Sequence, residues 1–276
     1  VFQAEGIEAL VLKGMALAEP VYGNPALRPM DDIDLLVRRQ DVLRARGALV
    51  GLGYEAPDFD KDFTRRSATL FSPPGDARSA RPALDLHWDL VDDRYGPAAA
   101  RWAEGVWKRS RELLIGGVSA RAPSPTDAFI YGCVHLAVHH GLRGLLWYCD
   151  LAMMARAWRE EIEWERLADW VMDARLTGLV WGALRCGEAL VGLEVPVPAL
   201  RRLRPRSLRA RATIRRLVPR FVALSSIPYQ DYVVPLALMD RGRDAAALVV
   251  RRLFTARGKG SDGQGISEGG TPTPIR

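Results

Sequence analysis

The run Asp32-Ile33-Asp34-Leu35-Leu36-Val37 constrains this chain more than any other stretch. Its apolar residues are those of a buried strand, and a strand turns successive side chains to opposite faces. Asp32 and Asp34 therefore share one face, with Ile33, Leu35 and Val37 on the other. Two carboxylates side by side repel each other, and a cation between them relieves the repulsion. The pattern predicts a divalent-metal site on a sheet, of the kind that serves phosphoryl or nucleotidyl transfer.

A two-metal site of that kind gathers several carboxylates around cations about 4 Å apart. Asp85 is the natural third member. In Leu84-Asp85-Leu86-His87-Trp88-Asp89, positions 85, 87 and 89 share one strand face, opposite Leu84, Leu86 and Trp88. If the two strands are neighbours, Asp85 and His87 look into the same cavity as Asp32 and Asp34. Lys13-Gly14 stands upstream, at the end of the compact apolar strand Ala9-Leu10-Val11-Leu12 and the start of a helix. A strand-to-helix junction offers free backbone N–H groups and the positive helix end, which favour phosphate, and Lys13 adds a point charge.

The rest of the first half alternates apolar runs with turn residues. Tyr22-Gly23-Asn24-Pro25 is a loop, residues 41–52 read as a helix ending at Gly53, and Thr69-Leu70-Phe71 reads as a strand. Pro73-Pro74-Gly75-Asp76 is the expected turn before the Asp85 strand. The order of elements predicts a mixed α/β or α+β unit over residues 1–122. At Ser124-Pro125-Thr126-Asp127 the pattern changes to a capped helix start. Helical spacing then continues to about residue 192, breaks at Pro196 and Pro198, and resumes, with Ala245–Phe254 as the last helix. Residues 123–255 are expected to be all-helical, and 256–276, rich in Gly, Ser, Thr and Pro, a disordered tail.

Composition sets outer bounds. Of 276 residues 48% are hydrophobic and 26% charged, as in ordinary globular proteins. No apolar run approaches the roughly 18 residues of a membrane span. Cys133, Cys149 and Cys186 are odd in number and scattered in apolar surroundings, so they read as buried thiols of a cytoplasmic protein and not as a disulfide framework. Net charge is +6, but lysine appears only at 13, 61, 108 and 259, and the arginine bias is that of a GC-rich coding genome. The balance is compatible with an anionic substrate without requiring one. The chain opens on Val1 with no signal peptide, and its native start is expected upstream.

Taken in order, Lys13-Gly14, Tyr22, Arg28, Asp32-x-Asp34-Leu-Leu-Val, Gly53-Tyr54 and Asp85-Leu86-His87-Trp88 resemble the uncharacterised nucleotidyltransferase family of the polymerase-β-like superfamily. His135-x-x-x-His139 and Trp147-Tyr148-Cys149-Asp150-Leu151 match that family's helical half, so the resemblance covers roughly residues 7–190. It implies an α+β fold, a polymerase-β-like mixed-sheet core with flanking helices followed by an all-helical domain. It further implies two Mg²⁺ ions, an NTP donor, and transfer of a nucleoside monophosphate to an acceptor, either a small molecule or a peptide or protein. Asp32, Asp34 and Asp85 become the catalytic, metal-binding carboxylates, and Lys13, Gly14, Arg28 and His87 the nucleotide-binding residues. Where the superfamily loop commonly reads Gly-Ser or Gly-Gly, this chain has Lys13-Gly14. The resemblance also implies helices ahead of the first strand, so the native start is again expected upstream.

His135 and His139 lie one helical turn apart, with Arg143 a further turn on and Asp150 near the same face. These four are candidate substrate contacts. The histidine spacing also suits zinc, but no Glu adjoins the first His and no third ligand stands nearby, so a seam between the two halves is the preferred reading. Trp147, Tyr148, Trp158, Trp164, Trp170 and Trp181 read as core. Residues 201–220 hold nine arginines and no acid. They would provide the RNA contact of a toxin-type nucleotidyltransferase acting on tRNA, yet no aromatics interleave them, which argues against nucleic acid as partner. A catalytically degenerate nucleotide-binding module is the other alternative.

Overall fold

The alternation along residues 32–37 is realised as a strand, and the two apolar sets it separates decide what packs on each side. The computed structural model describes residues 1–55, 68–73, 81–91, 95–222, 230–239, 244–246 and 249, with side chains at 219–222 and 230–232 outside that description. The first half holds β1 (Ala9–Val11), α1 (Lys13–Leu17), β2 (Asp32–Val37), α2 (Val42–Gly51), β3 (Ala68–Phe71) and β4 (Ala83–His87). Then come α3 (Pro97–Arg109), β5 (Arg111–Ile115) and β6 (Val118–Ala122). The second half is α4 (Pro125–His139), α5 (Leu145–Ala157), α6 (Trp164–Asp173), α7 (Thr177–Val191), α8 (Val197–Arg202), α9 (Leu208–Val222) and α10 (Gln230–Leu238). The protein is thus a mixed α+β fold with a small mixed sheet and many helices.

The main sheet has strand order β1-β2-β4-β3. β2 runs antiparallel to β1 and parallel to β4, and β3 is antiparallel to β4. On one face Val37, Leu84, Leu86 and Trp88 bury against Val42, Ala45 and Leu49 of α2. The other face carries Leu10, Leu12 and Leu36 into the large apolar cluster that includes Phe129, Val134 and Leu184. That cluster is continuous across residue 122, so sheet and helices share one core. The carboxylate face of β2 and β4 consequently looks toward the helical half.

Several expected elements differ in detail. The segment before residue 122 also contains α3 and the hairpin of β5 and β6, which the strand-and-turn pattern did not resolve. The hairpin closes through Gly116 and Gly117 at φ +56° and +79°, the two positive φ angles that a type I′ turn requires. The run from 124 to 192 is divided among α4, α5, α6 and α7. Ser124 caps α4 as expected: its Oγ accepts from the Asp127 N–H at 3.2 Å, and its hydroxyl donates to Asp127 Oδ2 at 2.7 Å. Tyr148, Trp158 and Trp181 are buried, as are Cys133 and Cys186, whereas Cys149 is half-buried. Of the expected Pro73–Asp76 turn only Pro73 is described, and of the expected last helix only residues 245, 246 and 249; the tail at 256–276 lies outside the described residues. Among the described residues no helix is long and apolar enough to cross a membrane.

Candidate active site

Parallel pairing of β2 with β4 sets Asp34 directly opposite Asp85, with Asp32 one pleat along and opposite Ala83. Both strands carry their apolar side chains on the α2 face, and a one-residue slip would turn one of those sets away from it. Alternation then brings His87, two residues past Asp85, to the same face. Its Nε2 lies 3.0 Å from Asp34 Oδ1 and 2.9 Å from Asp85 Oδ2, so one ring N–H is shared between two carboxylates. Donor atoms of Asp34, Asp85 and His87 all fall within 4.8 Å of one another. Asp32 shares their face but lies outside that tight set. Asp89, beyond the end of β4, pairs with Arg39.

Lys13 joins the group from the other side. The Leu12 N–H donates to the Asp34 carbonyl at 3.0 Å, which extends the β1–β2 pairing and carries Lys13 past Asp34. Lys13 has φ +47°, an unfavourable left-handed conformation for a side-chain-bearing residue, and its Nζ donates to Asp34 Oδ1 at 2.6 Å. Strain of this sort persists where surrounding contacts hold it, often at functional sites.

Charge is dense here. Burial, and after it the negative charge of Asp34, raise the Asp32 pKa, with Lys13 opposing. Burial would push Asp85 up as well, but the hydrogen bond and charge of His87 outweigh it and hold that carboxyl low. For His87 burial works against protonation, and the hydrogen bonds to Asp34 and Asp85 overcome it, so its pKa is raised. Three carboxylates thus face one ammonium and one imidazole.

Gly14 has a different neighbour from the one expected. A Cβ there would meet Met30 Cγ at 2.7 Å and Arg28 Nη1 at 2.9 Å, so its missing side chain makes room for the 28–30 loop. The following helix, α1, is only 5 residues long. Arg28 itself is 4% exposed and grips Asp150 of α5: Nε donates to Oδ1 at 3.1 Å and Nη2 to Oδ2 at 2.8 Å. The Tyr22 hydroxyl donates to the same Asp150 Oδ1 at 2.6 Å. Arg28 and Asp150, expected at the nucleotide and the substrate respectively, here tie the loop before β2 to the helical half.

The histidines occupy that junction. His135 lines a narrow cavity of about 40 Å³ together with Leu12, Lys13, Tyr131 and Trp147. Its ring stacks on His139 with centroids 4.8 Å apart, and its Nε2 is 3.0 Å from Nε2 of His140. Burial, then the charge of Lys13 and the neighbouring rings, hold His135 well below the ordinary imidazole range. The charge of His139, which is exposed, reaches Asp85, and the buried Tyr131 senses both Asp34 and Asp85. Arg143 does not continue the His135–His139 face. α4 stops at His139, and Gly141 and Leu142 take φ +52° and +65°, so Arg143 falls in an exposed turn. Asp150 accordingly belongs to α5, not to a continuation of α4.

Two participants escaped the sequence reading. His140 sits five residues after His135, off the helical spacing, and meets it only because the helix ends between them. Tyr131 is one turn before His135, and that spacing was a usable signal.

A parallel strand pair holding opposed aspartates, with His87 and Lys13 against them, makes a charged cluster able to hold a cation. A family model described as "Uncharacterised nucleotidyltransferase" matches residues 1–217, and the chain belongs to that family. No curated protein and no solved structure gives a significant match.

Proposed function

We propose that the chain is a metal-dependent nucleotidyltransferase that moves a nucleoside monophosphate from an NTP to a small-molecule, peptide or protein acceptor. One observation carries this beyond family membership: the register opposition of Asp34 and Asp85, with Asp32 alongside, in a cluster whose negative charge exceeds its local positive charge. The donor set is dominated by carboxylate oxygen, which fits Mg²⁺. Asp34 and Asp85, with Asp32 beside them, would hold the ions, and such ions supply neutralisation of phosphate charge. In this reading the sheet and its flanking helices are a polymerase-β-like core, and the helices after residue 122 form the cover of its cleft.

The chain's own residues then divide the remaining work. His87 fixes the orientation of Asp34 and Asp85 through its shared N–H, and so serves the nucleotide through them. Lys13 can leave Asp34 for a phosphate oxygen, exchanging one anionic partner for another at little cost. His139 faces the cluster from α4 as a contact for phosphate or acceptor, with Arg143 in the adjoining turn. Arg28, Asp150 and Tyr22 hold the loop that packs on Gly14, and so position Lys13. The reaction is attack of the acceptor's nucleophile on the α-phosphorus, with pyrophosphate leaving; positioning and charge stabilisation provide most of the rate.

Thermal unfolding with each NTP, with and without Mg²⁺, tests the binding half of this proposal. An NTP at about 100 times its Kd should stabilise the fold by about 2.7 kcal/mol. The shift should need Mg²⁺ and disappear in Asp34→Asn. Equal shifts in the variant and the parent would overturn the assignment.

A further inference from the structure

A groove of about 750 Å³ runs between α7, α8 and α9, away from the carboxylate cluster. Its rim carries Arg185 of α7, Arg201 of α8, Arg204 just beyond it, and Arg211 and Arg215 of α9. Only Arg185 has an acidic partner among the described residues, Glu188 at 2.5 Å. Elsewhere the chain pairs arginines readily: Arg38 with Glu104, Arg109 with Asp127, and Arg202 with Asp169. Among the described residues, four guanidinium groups around this concavity, which Glu188 also lines, have no carboxylate partner. Arg211 adds a second sign, since its Nε is buried with no hydrogen-bond partner. Such a group is unfavourable until an acceptor reaches it.

The floor identifies the occupant. It is aliphatic, built by Val195, Leu200, Ile214 and Val218, with Val197 59% exposed at its edge. Among the described residues its one aromatic, Trp181, is only 8% exposed. Single-stranded nucleic acid is held by bases stacked on open aromatic faces, and the described residues offer none here. Arg211 and Arg215 are one helical turn apart, as nearly are Arg201 and Arg204, so the cations line opposite banks of an apolar trough. That arrangement complements a segment with acids on its flanks and aliphatic side chains beneath.

We propose that this groove docks an acidic, leucine-rich peptide segment of a partner protein. The site is separate from the carboxylate cluster and does not depend on the transfer reading. Binding is measured on the full chain with a fluorescein-labelled helical 15-mer bearing Glu at i, i+4 on both flanks of a leucine stripe. Poly-glutamate of equal charge and a labelled 15-nucleotide oligouridylate are the comparison probes. The expected results are binding of the peptide at least tenfold tighter than of either comparison probe, and affinity that falls steeply with salt. Arg211→Glu/Arg215→Glu and Arg201→Glu/Arg204→Glu should each weaken it at least tenfold. Val197→Asp, at an exposed position, should weaken it while leaving the thermal midpoint unchanged, so the floor is tested even if a charge reversal fails to fold. Oligouridylate binding as tight as peptide binding, equal binding of poly-glutamate, or indifference to Val197→Asp would each overturn the proposal.

Discussion

Asp150→Asn should cost this protein far more stability than the loss of one surface charge. Asp150 accepts three hydrogen bonds, two from Arg28 and one from Tyr22, at 3.1, 2.8 and 2.6 Å. Side-chain exposure is 4% for Arg28 and 7% for Asp150, so water cannot replace the lost carboxylate. An asparagine presents an N–H to donors and leaves the guanidinium with the Pro29 carbonyl, at 2.6 Å, as its remaining full-strength acceptor. Breaking a buried pair in this way costs about 3–5 kcal/mol, because a buried charge is left uncompensated. In urea unfolding the midpoint should fall with little change in m, and the thermal midpoint should drop by roughly 6–20 °C at about 2–4 °C per kcal/mol. The triple variant Tyr22→Phe/Arg28→Met/Asp150→Leu removes charge and polar groups together and should recover most of the loss, since well-packed apolar replacements are often neutral. A triple variant as unstable as Asp150→Asn, or an Asp150→Asn loss under about 1 kcal/mol, would refute the reasoning.

Gly14→Ala should destabilise by about 1–3 kcal/mol, because its Cβ would press on Met30 and Arg28, whereas Gly47→Ala, in open space on α2, should stabilise by about 0.5–1 kcal/mol; paired denaturant titrations check both signs. His135 has its folded pKa held below the ordinary 6.5, so its contribution to stability is complete above pH 6.5 and is lost as pH falls below it. His135→Phe should remove that part of the slope, at most about 1.4 kcal/mol per pH unit, in unfolding measured from pH 7.5 to 5; an unchanged slope would contradict a buried neutral ring.

How far the sequence could be read depended on the range of the interactions. Asp34, Asp85 and His87 were legible because period-two alternation is local and each strand's apolar set names its buried face. Once those faces are buried on α2, the shared polar face follows, while the exact register that sets Asp34 opposite Asp85 needs the strand pairing. The Arg28–Asp150 pair was not legible. Its partners stand 122 residues apart, and both read equally well as ligand contacts. Lys13 was placed correctly at a strand-to-helix junction, but its bond to Asp34 needed the β1–β2 pairing to be known. Arg143 was misplaced because helical spacing was extended through Gly141 and Leu142, where the chain leaves the helix. Gly116-Gly117 is the local signal of the β5–β6 hairpin, but the charged Arg111, Glu112 and Arg121 break the apolar–polar alternation of the flanking runs.

The most direct measurement follows the label. The full-length protein is incubated with Mg²⁺, a cell extract and each NTP labelled in turn at the α- or γ-phosphate. The expected result is α-label on a discrete acceptor with γ-label leaving in pyrophosphate, reduced about a thousandfold in Asp34→Asn and in Asp85→Asn for a loss of roughly 4 kcal/mol of transition-state stabilisation. Transfer of the γ-label to the acceptor, or undiminished α-label transfer by both variants, would contradict nucleotidyl transfer at this site.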